Sequence, residues 1–149
     1  MVSSITVILM CVEAMSWSIM PAGRIETCLR VGDAAVEAGI DPAVAIALSY
    51  TESRFNKEAV SSRGAEGPLQ VLPKYYCPGK TSRDCDLIDA GIQAIIRHNK
   101  RFGPRLREVL CHWNSGNKCY RKSRLFAKKV IKRARNLRRK HGDQESCHH

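Results

Sequence analysis

Apolar residues recur along this chain at helical spacing. In TCLRVGDAAVEAG, residues 27–39, Cys28, Val31, Ala35 and Ala38 fall near one face, and Gly39 supplies a natural stop. Asp41-Pro42 then reads as an N-cap followed by proline at the first helical position. The next helix is expected over about 42–54, PAVAIALSYTESR, with Val44, Leu48, Thr51 and Phe55 along one side and Ile46 widening the buried surface. Residues 56–67 have the composition of a loop, with Gly64 and Gly67. PLQVL reads as a short helical turn ending at Pro73, and Pro78-Gly79 signals another turn. Helical spacing returns over 86–103, where Leu87, Ile88, Gly91, Ile92, Ile95 and Ile96 are apolar and Arg97 and Lys100 point outward. REVLCHWNSG, 107–116, predicts a short helix stopped at Ser115-Gly116. A last helix over about 121–140 carries Leu125, Phe126, Val130, Ile131 and Leu137 as its apolar stripe. Strand-type alternation, internal repeats and long linkers are not evident. The pattern therefore predicts one mainly α domain.

Length agrees with that: 149 residues suit one domain, able to bury roughly 70% of the unfolded chain's surface without a metal. Charge changes the picture more. The net charge of +11 is concentrated in residues 118–141, which hold twelve Lys and Arg and no acid, while the remainder is near neutral. One local basic segment implies an anionic partner: nucleic acid, anionic lipid or cell-wall polymer. Among seven cysteines, Cys77/Cys85 and Cys111/Cys119 share one spacing. Each pair would close a short loop, and oxidation would add about 2–3 kcal/mol in the chain-entropy model. Four unrelated thiols in a reducing compartment is the other reading. The spacing is not that of a zinc ribbon, and the odd count leaves at least one thiol over.

Residues 1–23 contain the apolar run ITVILM, but Glu13 interrupts the segment and the first basic residue is Arg24. The segment reads either as a signal sequence without its basic start or as an N-terminal packing helix; it is too short and polar to span a bilayer comfortably. Residues 24–141 then form the domain with its basic C-terminal helix, and 142–149 a short tail. That tail ends Cys147-His148-His149, a scrap with metal-binding residue types; no metal site and no cofactor are expected, and no Gly-rich phosphate loop with a following Lys is present.

Candidate chemistry centres on Glu52. Val44, Leu48 and Glu52 follow at four-residue steps, so the carboxylate belongs at the edge of the core. Burial there disfavours the charged form and raises its pKa, and a carboxyl still protonated near neutral pH can act as a general acid.

The words around Glu52 resemble a known family. Glu52-Ser53 after an apolar helix, then Phe55-Asn56-Lys57-Glu58-Ala59-Val60-Ser61, then Gly64-Ala65-Glu66-Gly67-Pro68-Leu69-Gln70-Val71-Leu72-Pro73, resemble the motifs of the soluble-lytic-transglycosylase (SLT) family. His112-Trp113-Asn114-Ser115-Gly116 is similar to that family's A-Y-N-A-G element, and Phe126-Ala127 stands at its Tyr-Val pair. The resemblance covers about residues 28–132, with several motifs in order. It implies a lysozyme-like (goose-type/SLT) helical fold. It also implies cleavage of the β-1,4 bond between N-acetylmuramic acid and N-acetylglucosamine in peptidoglycan, leaving a 1,6-anhydromuramoyl end.

By the same resemblance Glu52 is the catalytic acid and base, and Ser53, Gln70, Trp113 and Asn114 are substrate-binding residues. Ser53 would orient Glu52 or the sugar, Asn114 would hydrogen-bond substrate, Gln70 would lie near the glycan groove and Trp113 would offer a face to a sugar ring. An ordinary glycosidase needs two carboxylates, and no motif places a second one here. Two departures stand out. Pro68-Leu69 replaces the usual Leu-Met, and Phe126 replaces a Tyr whose phenol contacts the catalytic Glu; Tyr50 or Tyr120 is the substitute source of a phenol.

The expected partners are peptidoglycan glycan strands, with anionic wall polymers contacting the basic helix. Nucleic acid is not expected, and the chain is expected to be a monomer. The expected setting is the periplasm, the exterior or a phage virion, in a phage or an envelope-spanning machine. The alternatives are hydrolysis of the same bond by a lysozyme-type muramidase, a wall-binding homologue with little turnover, and nucleic-acid binding through 118–141.

Overall fold

The structure is a computed structural model, described over residues 2–142. Its elements in chain order are α1 (Ser4–Met15), α2 (Arg24–Glu37), α3 (Pro42–Ser53), α4 (Pro73–Tyr76), a short 3-10 turn (Pro78–Lys80), α5 (Leu87–Phe102), α6 (Leu106–Ser115) and α7 (Arg121–His141). The architecture is mainly helical, as the periodicity predicts. Among the described residues the only β pairing is two isolated antiparallel bridges, Val60 with Glu66 and Glu66 with Val71.

The middle of the molecule is α3. Every residue from Pro42 to Tyr50 is buried, so this helix is covered on all sides and not on one stripe. It begins as the sequence indicates: the Asp41 carboxylate accepts from the Ala43 N–H at 2.9 Å, with Pro42 in the first turn. Around it pack α1, α2 and α7, and α6 lies along α7. Val31, Ala35, Ile46, Leu48, Phe55, Leu69, Ile92 and Leu110 form the centre of the core. A smaller cluster of Val71, Cys77, Ala90 and Ala94 sits beside it, under Tyr76 and Leu87.

Three expectations need correction. First, α2 starts at Arg24, three residues earlier than the periodicity suggested; Gly23, at φ 90°, precedes it, and Ile25 in the added turn packs against the core. It ends as expected: Gly39 adopts φ 74° and the Ile40 N–H closes on the Ala35 carbonyl at 2.8 Å. Second, PLQVL is no helical turn. Val71 N–H pairs with Glu66 O at 3.1 Å and helix begins only at Pro73. Third, the buried stripe of α7 is Ser123, Ala127, Val130, Ala134 and Leu137, while Leu125 is exposed. Small residues let α7 approach α3 closely, which centres the seam on Ala127 and Ala134, leaves Leu125 exposed and puts Phe126 at its half-buried margin.

Among the described residues three disulfides bind the scaffold. Cys77–Cys85 and Cys111–Cys119 join the pairs with matched spacing, each with Cα atoms 5.6 Å apart. The third, Cys11–Cys28, joins α1 to α2 with Cα atoms 5.8 Å apart. Helical spacing had placed Cys28 on a core face but gave no sign of its partner, which lay in a segment of ambiguous character. On α1, Val7, Met10, Cys11 and Ala14 are buried, and Glu13 holds Lys140 of α7 at 2.7 Å. Cys147-His148-His149 lies outside the described residues.

Candidate active site

Glu52 occupies the last turn of α3. It is largely buried, and burial alone raises its carboxyl pKa from 4.5 to about 7. Among the described residues no ion pair or side-chain hydrogen bond engages it. The opposing contributions that would return it to the ordinary carboxylate range, a cation or a set of donors to the ionised form, are therefore lacking.

The backbone beyond Glu52 is held in an uncommon form. Arg54 and Phe55 both take left-handed conformations, with φ 53° and 61°. Such conformations cost of order 1–3 kcal/mol at non-glycine residues and persist only where surroundings impose them. Here the imposing contact is Phe55 itself, fully buried and packed on Tyr50 with ring centroids 6.0 Å apart. Two left-handed residues end the helix and turn Phe55 back into the core, which leaves Glu52 at the head of an abrupt corner.

A loop is then pinned against that corner. The carbonyl of Pro68 accepts from Ser53 Oγ at 2.8 Å and from Ser49 Oγ at 3.0 Å. Ser53 Oγ accepts in turn from the Asn56 N–H at 3.1 Å. Pro68 brings no N–H, but its carbonyl is the acceptor on which two serines of α3 converge. Gln70, at φ 55°, donates from Nε2 to Gly67 O at 2.9 Å and to Ala59 O at 3.1 Å, closing the loop on itself. Leu69, fully buried, fits against Gly91 of α5, where any side chain would collide with it. Gly67 takes φ 83° with the Leu87 side chain against it, so both the turn and the space require glycine.

The candidate residues thus fall in two groups. Glu52, Ser53 and Gln70 surround one loop. Trp113 and Asn114 come from the end of α6: Asn114 is exposed, and Trp113 is half-buried beside His98, ring centroids 5.1 Å apart. Burial lowers the His98 pKa. The hydroxyl of Ser53 and the amide of Gln70 have protein partners that fix the loop. Ser49 was not singled out from the sequence, although a serine inside a run of buried aliphatics is the kind of signal that demands a partner.

Of the proposed phenols, Tyr120 is exposed at the start of α7. Tyr50 is buried against Trp17, 5.0 Å away, and beneath the Arg133 guanidinium, 4.7 Å from its ring. Phe126 is half-buried against the main core. Elsewhere, Glu108, His112 and Cys119 bring potential ligand atoms close together. Cys119 is bonded to Cys111 and His112 Nδ1 to the Gly116 carbonyl at 2.6 Å, so the group offers no free thiolate.

The transglycosylase SLT domain family matches residues 31–136, well over half of the chain and including Glu52, the pinned loop, α6 and most of α7. The chain belongs to the transglycosylase SLT domain family. That membership supports a lytic-transglycosylase role on peptidoglycan and a lysozyme-like helical fold. Comparison with curated proteins and comparison with solved structures each found no match. The matched span begins within α2 and ends within α7.

Proposed function

We propose that this SLT domain cleaves the β-1,4 bond between N-acetylmuramic acid and N-acetylglucosamine, with Glu52 as the sole acid and base. The observation that carries this reading is the burial of Glu52, whose carboxyl is pushed up to about 7. Near neutral pH much of it is protonated, as a general acid must be. It gives that proton to the glycosidic oxygen as the C1–O bond breaks, and the N-acetylglucosamine fragment leaves as an alcohol. Positive charge develops on the muramic acid ring, where the 2-acetamido carbonyl oxygen supports it. The carboxylate then takes the proton of the C6 hydroxyl while O6 bonds to C1. The product is a 1,6-anhydro ring, Glu52 has its proton back, and no water is consumed. One carboxyl suffices because the two steps need it in opposite states in sequence.

The pinned loop supports the reading by holding the wall of the site rigid, since positioning contributes only where geometry is fixed. In this proposal Ser53 and Gln70 shape the groove through the loop, while Asn114 and Trp113 contact the sugar. Residues 24–141 form the catalytic unit, and residues 1–23 stay with it as a packing segment, in keeping with the Cys11–Cys28 bridge. Three disulfides suit an oxidising compartment, hence the periplasm, the exterior or a virion, in a phage or an envelope-spanning machine. No helix among the described residues is long and apolar enough to cross a membrane.

A second reading, a wall-binding protein of low turnover, is favoured by Phe126, which brings no phenol to Glu52. The test is release of soluble fragments from purified peptidoglycan by wild type and Glu52→Gln, with wall binding measured alongside. Release by wild type and none by the variant, both binding, supports the enzyme. Binding without release by either would replace it with the second reading.

A further inference from the structure

Apart from Glu52, the molecule carries a cavity of about 550 Å³ between α7, Tyr50 of α3 and Trp17, which follows α1. Glu52 does not line it. Two residues apart on α3, Tyr50 and Glu52 project to nearly opposite sides of the helix, so this is a different face from the candidate active site. Lys129, Lys132, Arg133, Arg135 and Arg139 all line it, and among the described residues no carboxylate does. They recur three and four positions apart on α7, which gathers them into one strip beside the buried seam. Two other cations of α7 hold acids: Arg138 holds Asp41 at 2.9 Å and Lys140 holds Glu13 at 2.7 Å. The strip along the cavity is left facing outward.

We propose that this cavity is a binding site for anionic groups of the wall polymer, separate from the cleavage site and serving to hold the enzyme on its strand. The inference rests on the wall-cleaving reading above. Arg133 is the built element of the site: its guanidinium donates to Thr51 Oγ1 at 2.9 Å and lies over the Tyr50 ring. Its orientation is fixed before any ligand arrives, so little freedom is lost on binding. The more exposed Lys132, Arg135 and Arg139 supply the surrounding field.

The same geometry argues against a single-stranded nucleic acid. Stacking sites for bases need open aromatic faces. Of the two aromatic rings in the lining, Tyr50 is buried and covered by Arg133, and Trp17 is part-buried and packs against Tyr50 at 78°, so the two present no parallel pair of open faces. Cation pairing with carboxylate or phosphate is the recognition that remains. Such groups come from two sources in a wall: carboxylates of the stem peptides, and phosphates of polymers attached to the glycan.

The test is co-sedimentation with isolated walls in a Glu52→Gln background, so that cleavage plays no part. Lys132→Gln/Arg135→Gln/Arg139→Gln removes three cavity cations. Arg121→Gln/Arg124→Gln/Lys128→Gln removes three exposed α7 cations outside it. The cavity triple is expected to weaken binding about tenfold or more and the outer triple far less, each contact being charge-assisted. Walls stripped of stem peptides by an amidase, and walls stripped of phosphate polymers by acid, identify the source by which treatment removes the difference between the triples. Equal weakening by both triples, no weakening by the cavity triple, or tighter binding of a single-stranded DNA oligomer than of walls at the same salt would overturn the proposal. Fragment release by the wild-type protein is measured separately, so the cavity can fail while the cleaving reading stands.

Discussion

Replacing Glu52 by glutamine should stabilise this protein, and only at higher pH. The carboxyl titrates at 4.5 in an unfolded chain and at about 7 where α3 buries it. Below the unfolded value it is protonated in both states, and glutamine, nearly the same shape, changes little. As pH rises from there, the unfolded chain ionises freely while the folded chain must keep its proton or ionise with much of its solvation lost. Wild type therefore loses stability progressively up to the folded pKa, and above it the loss is complete. The interval corresponds to about 3 kcal/mol. At this chain length that is about 6–12 °C in melting temperature. Thermal unfolding of both proteins at about pH 4 and about pH 8 reads it directly, since all other titrations cancel in the difference. A gap near zero at the acid end and several degrees in favour of the variant at the basic end is expected. An unchanged gap across that range would refute the claim that desolvation holds the proton, and with it the physical basis for Glu52 as an acid.

Other consequences are open to measurement. Strand cleavage, followed as kcat/KM against pH, should fall as pH rises through about 7 and be lost about 100-fold or more in Glu52→Gln; a profile still rising there would contradict the assignment. Ser53→Ala leaves the Asn56 N–H without its side-chain acceptor and the Pro68 carbonyl with one hydroxyl fewer, so urea unfolding should show a loss of about 1–3 kcal/mol. Gly91→Ala drives a methyl into Leu69 and should cost about 1–3 kcal/mol by the same assay, together with faster proteolysis of the 56–72 loop. Removing the Cys11–Cys28 bridge with paired Ala substitutions should cost about 2–4 kcal/mol; no change would mean that α1 contributes little to the fold.

The helices were legible because their ends carry physical punctuation. Asp41-Pro42, Gly39 and Gly116 each stop or start a helix through a hydrogen bond or a backbone conformation encoded in one or two residues. The position of Glu52 at the edge of the core followed from four-residue steps. What was not legible depended on long-range contact. Nothing local tells that the carbonyl of Pro68 receives two serines from α3, or that Phe55 leaves the helix to re-enter the core. The seam of α7 was misjudged because bulk suggested Leu125, whereas close approach to α3 selects Ala127 and Ala134. Trp17 and Cys11 lay in a segment whose reading was left between leader and packing helix, so neither the third disulfide nor the basic cavity could be anticipated.

The most direct measurement is digestion of purified peptidoglycan in water enriched in the heavy isotope of oxygen, with products weighed by mass spectrometry. Transfer to O6 by Glu52 acting alone predicts anhydromuramoyl ends, one water lighter than hydrolysed ends, without label, and no products from Glu52→Gln. Labelled, hydrated ends would show that water and not the C6 hydroxyl captures the intermediate, and unlabelled products from the variant would remove Glu52 from the chemistry.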